Sequence, residues 1–212
     1  YAYEFLPARL TQRTATDAAG LKTVSIIERG VTTLPDSTVI TLAQGADTRW
    51  GMQAPSVDSL VVRLPSGLTS RLMEQRSDSL SNASDPFSLV SQTNRVSLNG
   101  DTTTSVYTAS TRRLVQTSPE GRQVTSHLDA NSRVDSVQVA GFNWVTFQYD
   151  SRGRLTQELD GGRVTTYGYS TSSGRLTSVT DPIGRVTQFT YDSGGRVKAQ
   201  TLPDGRLIQF AH

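Results

Sequence analysis

Aromatic residues in the second half of the chain come in pairs two positions apart. They are Phe147 and Tyr149, Tyr167 and Tyr169, and Phe189 and Tyr191, with Phe210 continuing the series 21 residues after Phe189. A period of two belongs to β-strands, whose side chains alternate between faces. The spacing therefore predicts strands that carry their rings on one face. In one unit, Arg185 to Tyr191 (RVTQFTY) reads as a strand of β-branched and aromatic residues and Asp192 to Gly195 as a turn. Arg196 to Leu202 (RVKAQTL) is then the return strand, and Pro203-Asp204-Gly205 turns the chain into the next unit. Proline presets φ, aspartate caps its own backbone and glycine accepts positive φ, so both turns have a mechanism. Successive hairpins are expected side by side in one antiparallel sheet, with Tyr107, Tyr149, Tyr169 and Tyr191 on one face.

The pattern repeats with a fixed beat. Arg133, Arg154, Arg175 and Arg196 fall 21 residues apart, with Arg113 twenty residues before the first, and Gly153, Gly174 and Gly195 precede the last three. The aromatic partner follows the same beat at Tyr149, Tyr169 and Tyr191, preceded in phase by Tyr107 and Leu128 and followed by His212. A second turn, Pro-x-Gly-Arg, recurs at 119–122, at 182–185 with Gly184 and Arg185, and at 203–206 with Gly205 and Arg206; Gly161-Gly162-Arg163 is a variant. Periodicity of this length marks a repeat architecture. Each arginine is placed to stack on a ring or pair with a turn aspartate, so these positions read as structural ones that fix register.

The segments YDSRGRL (149–155), YSTSSGRL (169–176) and YDSGGRV (191–197), with Asp150 and Asp192 after the tyrosines, resemble the tyrosine-aspartate (YD) repeat. That repeat belongs to Rhs proteins, teneurins and the C components of insecticidal toxin complexes. The resemblance is strong from about residue 100 onward. Upstream, LPDSTVITL (34–42) echoes LPDGRLIQF (202–210), Asp17-Ala18-Ala19-Gly20 echoes the hairpin turn, and Pro65-Ser66-Gly67 echoes Pro-x-Gly. Leu128-Asp129 in place of Tyr-Asp, Ser170 after Tyr169 and Ser37 in place of a turn glycine depart from the pattern. The resemblance implies an all-β chain of consecutive antiparallel β-hairpins in one long spiralling YD-repeat sheet, a segment of a shell or cocoon. It also implies a structural role in a secreted or cell-surface, bacterial shell around a toxin or other passenger domain. Flanking YD repeats of a longer chain, or other copies of this one, would be its partners. The alternatives are an adhesion or carbohydrate-binding module that contacts a glycan, and a fibre subunit assembled through sheet edges.

The chain is expected to form one continuous repeat domain, degenerate over 1–99 and regular over 100–212. Gly45 to Pro55 and Ser77 to Asn94 are rich in turn formers and are predicted as insert loops near 45–55 and 77–94. Trp50, Met52 and Phe87 are expected to plug gaps at the sheet face, with Trp50 and Trp144 as the alternative sugar-stacking residues. Asn82-Ala83-Ser84 is a glycosylation sequon. Tyr1-Ala2-Tyr3 and Phe210-Ala211-His212 read as mid-repeat, which would leave strand edges open to pairing.

Composition narrows the remaining chemistry. Hydrophobic residues make up 35%, lean for a compact globule but suited to sheets wetted on one face. Twenty-one Lys and Arg against 19 Asp and Glu, dispersed rather than clustered, do not describe a nucleic-acid surface. With no cysteine, disulfides and thiolate metal sites are excluded, and no apolar run is long enough to span a membrane. The opening YAYEFLPARL has no signal-peptide pattern. The two histidines, His127 and His212, accompany no nucleophile or phosphate-binding motif, and His127 is expected as a half-buried strand residue. Asp150, Asp192, Asp204 and the Asp181-Pro182-Ile183-Gly184 element have turn roles. No carboxylate pair is singled out for glycoside hydrolysis. No catalytic, cofactor or metal site is expected.

Overall fold

The structure, a computed structural model, describes residues 2–6, 10–27 and 30–211, and side chains from residue 12 onward within that range. The expected Tyr1 and His212 positions, and the side chain of Tyr3, lie outside it. All regular structure among the described residues is β, in nineteen strands that fall into two compact units, 1–123 and 124–212.

The first unit holds β1 (Ala2–Leu6), β2 (Leu10–Thr16), β3 (Lys22–Ile26), β4 (Val31–Thr33), β5 (Val39–Asp47), β6 (Gly51–Arg63), β7 (Thr69–Leu80), β8 (Leu89–Leu98), β9 (Asp101–Thr108) and β10 (Arg113–Thr117). Each strand pairs antiparallel with the next. The expected upstream echoes hold. Asp17 accepts the N–H groups of Ala19 and Leu21 on Oδ1 (2.8 and 2.9 Å), as an aspartate of the downstream turns does. At Leu34 to Thr38 the backbone makes the same two hydrogen bonds as at Leu202 to Arg206. Ser37 there adopts φ 69°, the left-handed conformation that Gly205 holds at 83°.

The two predicted insert loops are corrected. Strands extend into both segments, with pairs at Gly45–Ser56 and Asp47–Gly51 in the first and from Ser77–Thr93 through Leu80–Leu89 in the second. Only residues 48–50 and 81–88 lie outside strands. Gly45 is accommodated because Asp58 lies over its missing side chain; a Cβ there would come within 2.4 Å of the carboxylate. Met52 and Phe87 do not plug the sheet either, since they are 68% and 81% exposed.

The second unit holds β11 (Gln123–Leu128), β12 (Val134–Val139), β13 (Val145–Tyr149), β14 (Leu155–Asp160), β15 (Arg163–Tyr169), β16 (Leu176–Thr180), β17 (Val186–Tyr191), β18 (Val197–Thr201) and β19 (Leu207–Gln209), again each paired with the next. Directly paired residues share a face. Phe147 opposite Glu158, Glu158 opposite Thr165, Tyr167 opposite Val179, Val179 opposite Thr187 and Phe189 opposite Gln200 therefore place the aromatic pairs of β13, β15 and β17 on the same face. The other face carries small and polar residues, including Thr125, Gln138, Gln148, Thr166, Ser178, Gln188 and Ala199.

Neither unit has a deep core. No described side chain is fully buried, and Ala199, at 9% exposure, is the one buried hydrophobic residue among them. The accessible surface is 14166 Å², against about 9,600 Å² expected for a compact 23.0 kDa monomer. Apolar side chains are covered mainly by neighbours on the same face, as in a single-layer sheet.

Candidate functional site

The repeat motif builds the same turn several times in the second unit. At Asp150 the backbone N–H bonds the carbonyl of Arg154 (2.9 Å) and the N–H of Gly153 returns to the carbonyl of Asp150 (2.9 Å). This is a type I turn closed by a glycine bulge, with Gly153 at φ 80°. Asp150 Oδ1 accepts the N–H groups of Arg152 and Arg154 (both 2.9 Å), and Oδ2 accepts Arg154 Nε (2.7 Å). Asp129 with Arg133, Asp181 with Arg185, and Asp192 with Arg196 form the same clasp, and Asp204 with Arg206 a shorter one. The N–H and guanidinium donated by Arg154 hold the Asp150 carboxyl below the usual carboxylate range, and Arg133 does the same for Asp129. At Asp181 burial pushes the other way and the donors from Arg185 outweigh it.

Three of the motif arginines then reach the following repeat: the clasped Arg133 and Arg154, and Arg175, whose turn carries Ser170 in place of the aspartate. Arg133 lies over the ring of Tyr149 (4.6 Å to the centroid), Arg154 over Tyr169 (4.4 Å) and Arg175 over Tyr191 (5.4 Å). Each tyrosine hydroxyl donates back to the carbonyl of the residue after the arginine: Tyr149 to Val134 (2.7 Å), Tyr169 to Leu155 (2.8 Å) and Tyr191 to Leu176 (2.8 Å). Arg154 Nη1 also donates to the carbonyl of Gly174 (3.0 Å). Bonds through Nε and Nη lie in the guanidinium plane and leave its face free for the ring, so pairing with aspartate and stacking on tyrosine occur together. Covered arginines are shielded accordingly. The side chains of Arg133 and Arg154 are 29% and 26% exposed, against 63% for Arg185 and 58% for Arg196.

Departures from the motif have local consequences. Ser170 replaces the aspartate, and its turn is one residue longer, closing from Ser170 to Arg175 (2.8 Å). The Gly161-Gly162 turn is one residue shorter, with both glycines at positive φ (53° and 88°) and Asp160 paired with Arg163. The two changes cancel, so the arginine beat stays at 21 while Tyr149, Tyr169 and Tyr191 are spaced 20 and 22 apart. Ladder shifts at Gln148/Tyr149, Gly168/Tyr169 and Thr190/Tyr191 mark a bulge at each tyrosine, a feature that re-aims a side chain. Tyr107 lies on β9 opposite Leu114 and Gln92.

A second polar cluster lies in the first unit. The β5–β6 tip meets β7: Arg76 Nη1 donates to Asp47 Oδ2 (3.0 Å), Thr48 Oγ1 donates to Asp78, and Arg49 lies 3.6 Å from Asp78. Asp47 also accepts the N–H groups of Arg49 (2.8 Å) and Trp50 (2.9 Å), which, with Arg49 leading, keep its carboxyl below the usual range. Trp50 packs edge to face on Phe87 at 5.0 Å, with Arg49 6.0 Å from the indole. Trp144, in the second unit, is 39% exposed. The contacts join residues some 30 positions apart, and no local motif announces them.

His127 Nδ1 faces both carboxylate oxygens of Asp135 (2.8 and 2.9 Å), while Ser136 donates to Asp135 Oδ1 (3.0 Å). The hydroxyl therefore bonds the carboxylate and not the imidazole, so the trio lacks the nucleophile-to-base contact of a hydrolase. No group of three or more metal-ligating side chains occurs among the described residues, and no described helix is long and apolar enough to cross a membrane.

These turns, stitched by arginine and tyrosine from one hairpin to the next, define a class of protein built from concatenated β-hairpins. The family model described as RHS Repeat matches residues 171–207, within the part of the chain whose turns resemble the YD repeat of Rhs proteins. No curated protein matches. Among solved structures, the chain is similar to a TcdB2-TccC3-TEV crystal structure, at 14% identity and TM-score 0.45, with 91% of this chain and 11% of that chain covered. It is similar also to the Tc holotoxin pore of Photorhabdus luminescens with a mutated TccC3, at 14% identity and TM-score 0.45, with 95% and 11% covered. The chain thus spans about a tenth of the length of these relatives.

Proposed function

We propose that this chain is a wall segment of a secreted bacterial YD-repeat shell that encloses a toxin or other passenger domain, with no catalysis of its own. The observation that carries this reading is the stitch between repeats. A sheet without a deep core has little stability to draw on within any one hairpin, and in the second unit successive hairpins are fastened by an arginine stacked on the next tyrosine and a tyrosine hydroxyl bonded to the previous strand. Such fastening suits a thin wall whose two faces meet different surroundings. Flanking repeats of a longer polypeptide are its natural partners. The test is limited proteolysis of the parent polypeptide with its passenger in place. Passenger fragments should resist protease in the parent protein and be digested after R154A and Y169A weaken the wall. Equal digestion in both would refute enclosure.

A second reading, adhesion through a glycan, is favoured by one feature. Phe87 is 81% exposed and braced by Trp50 beneath it, which offers a ring for stacking on a sugar. F87A should abolish glycan-array binding if that reading holds.

A further inference from the structure

Strands β6 and β7 part company halfway along. They pair from Arg63–Thr69 to Ser59–Met73, and there the ladder stops, although β6 runs back to Gly51 and β7 on to Leu80. β7 keeps β8 as its other neighbour, and β6 keeps β5 at Val57, Ser56 and Gly51. Two strand edges therefore face each other across a cleft of about 510 Å³, lined by Ser56 and Asp58 on one lip and Glu74 to Ser77 on the other. The far end is closed by the Asp47–Arg76 and Thr48–Asp78 contacts.

We infer that this cleft accepts an extended peptide segment, which adds as a strand to the free edge of β7. A row of unpaired N–H and C=O groups at ladder spacing is met best by another backbone. The two lips are not equivalent. β6 carries Pro55 and a ladder shift at Ala43/Gln44, both devices that blunt an edge, whereas β7 has neither over Glu74 to Ser79. Charge sets the preferred side chains. Asp58 and Arg95 both line the cleft, are exposed and carry no ion pair among the described residues, while Arg76 is already engaged by Glu74 (3.2 Å) and Asp47 (3.0 Å). The fitting segment carries one cation toward Asp58 and one anion toward Arg95, on the same face of its strand. This inference is independent of the shell reading.

The probe is the capped heptapeptide Thr-Lys-Val-Thr-Val-Glu-Thr, titrated into the 212-residue chain with amide hydrogen exchange as the readout. Alternate amides of Glu74 to Ser77 should exchange quickly in the free chain and slow at least tenfold at saturation. The same peptide N-methylated at alternate residues should fail to protect them. In the double variant D58K/R95E, preference should pass at least fivefold to the peptide with Lys and Glu exchanged, while protection in β8 and β9 stays unchanged and certifies the fold. The inference is overturned by absence of binding, by equal binding of the N-methylated peptide, or by an unchanged preference in the double variant. It is overturned equally by slow exchange of these amides in the free chain, or by cellohexaose protecting them as well as the peptide does.

Discussion

The guanidinium of Arg154 lies 4.4 Å from the ring centroid of Tyr169 while the hydroxyl of Tyr169 donates to the carbonyl of Leu155, the residue next to that arginine. Ring and guanidinium thus form one reciprocal fastening across two hairpins, and the same relation recurs at Arg133 with Tyr149 and at Arg175 with Tyr191.

A double-mutant cycle on the first pair should register this fastening as a coupling energy. Partly exposed cation–π contacts contribute about 0.5–1 kcal/mol, so R154A and Y169A together should cost less than the sum of the singles by about that amount. Y169F isolates the hydroxyl and should cost about 1 kcal/mol. R154K should recover little, because an ammonium lacks both the planar face and the fork that grips Asp150. Urea midpoints of the parent and the five variants decide it, and strict additivity of R154A and Y169A would show that the stacking is incidental.

Turn glycines should separate by what surrounds them. Gly195 and Gly205 hold φ of 87° and 83°, so alanine at either is strained and should cost about 1 kcal/mol. A Cβ at Gly205 meets nothing within 4 Å, whereas at Gly195 it lands 2.4 Å from Arg175 Nη2 and must push that guanidinium off Tyr191. G195A should therefore cost more than G205A. Gly30 is the severest case, since its Cβ would stand 1.9 Å from the backbone carbonyl oxygen of Leu42, which has no flexible end to give way. G30A should be the least stable of the three by thermal melting.

The β5–β6 tip rests on a charge pair that is largely shielded from water. Asp47 and Arg76 have side chains 4% and 30% exposed. R76A leaves Asp47 with its two backbone donors only, and should cost about 1–3 kcal/mol. It should also speed exchange at the tip while leaving the second unit untouched. Exchange that rises equally everywhere would contradict a local role.

The parts of this structure legible in the sequence are those decided within a few residues. Asp192, Gly195 and Arg196 specify a turn by their own backbone demands, and the two-residue spacing of Phe189 and Tyr191 specifies a face, so hairpins, turns and aromatic ladder follow from local identity. Partners set by the ladder were hidden. Gly45 and Asp78 look like breakers in isolation, yet Ser56 of β6 and Gln92 of β8 pair with them and hold their segments extended, and Pro55 is tolerated because neither β5 nor β7 pairs with it. Stacking or ion pairing for the arginines stood as alternatives because a linear pattern does not show that a guanidinium uses its plane and its face at once. The Asp47–Arg76 contact spans 29 residues and depends on where β6 leaves β7.

Acid should loosen the turns in a defined window. Asp150 is held below the ordinary carboxylate range first by the backbone N–H of Arg154 and then by its guanidinium, and Asp129 likewise by Arg133. A carboxyl whose folded pKa is depressed contributes stability that is fully present above its unfolded value, about 4, and is lost as pH falls through the folded value. Urea midpoints should therefore be flat from pH 7 to about pH 5, decline below pH 4, and level off once both forms are protonated. D150N removes the titrating group but keeps an oxygen for the N–H groups of Arg152 and Arg154. It should lower the midpoint at pH 7, show a shallower decline below pH 4, and converge on the parent curve in acid. Parallel curves offset by a constant amount would mean that the Asp150 carboxylate is not what the turn loses in acid.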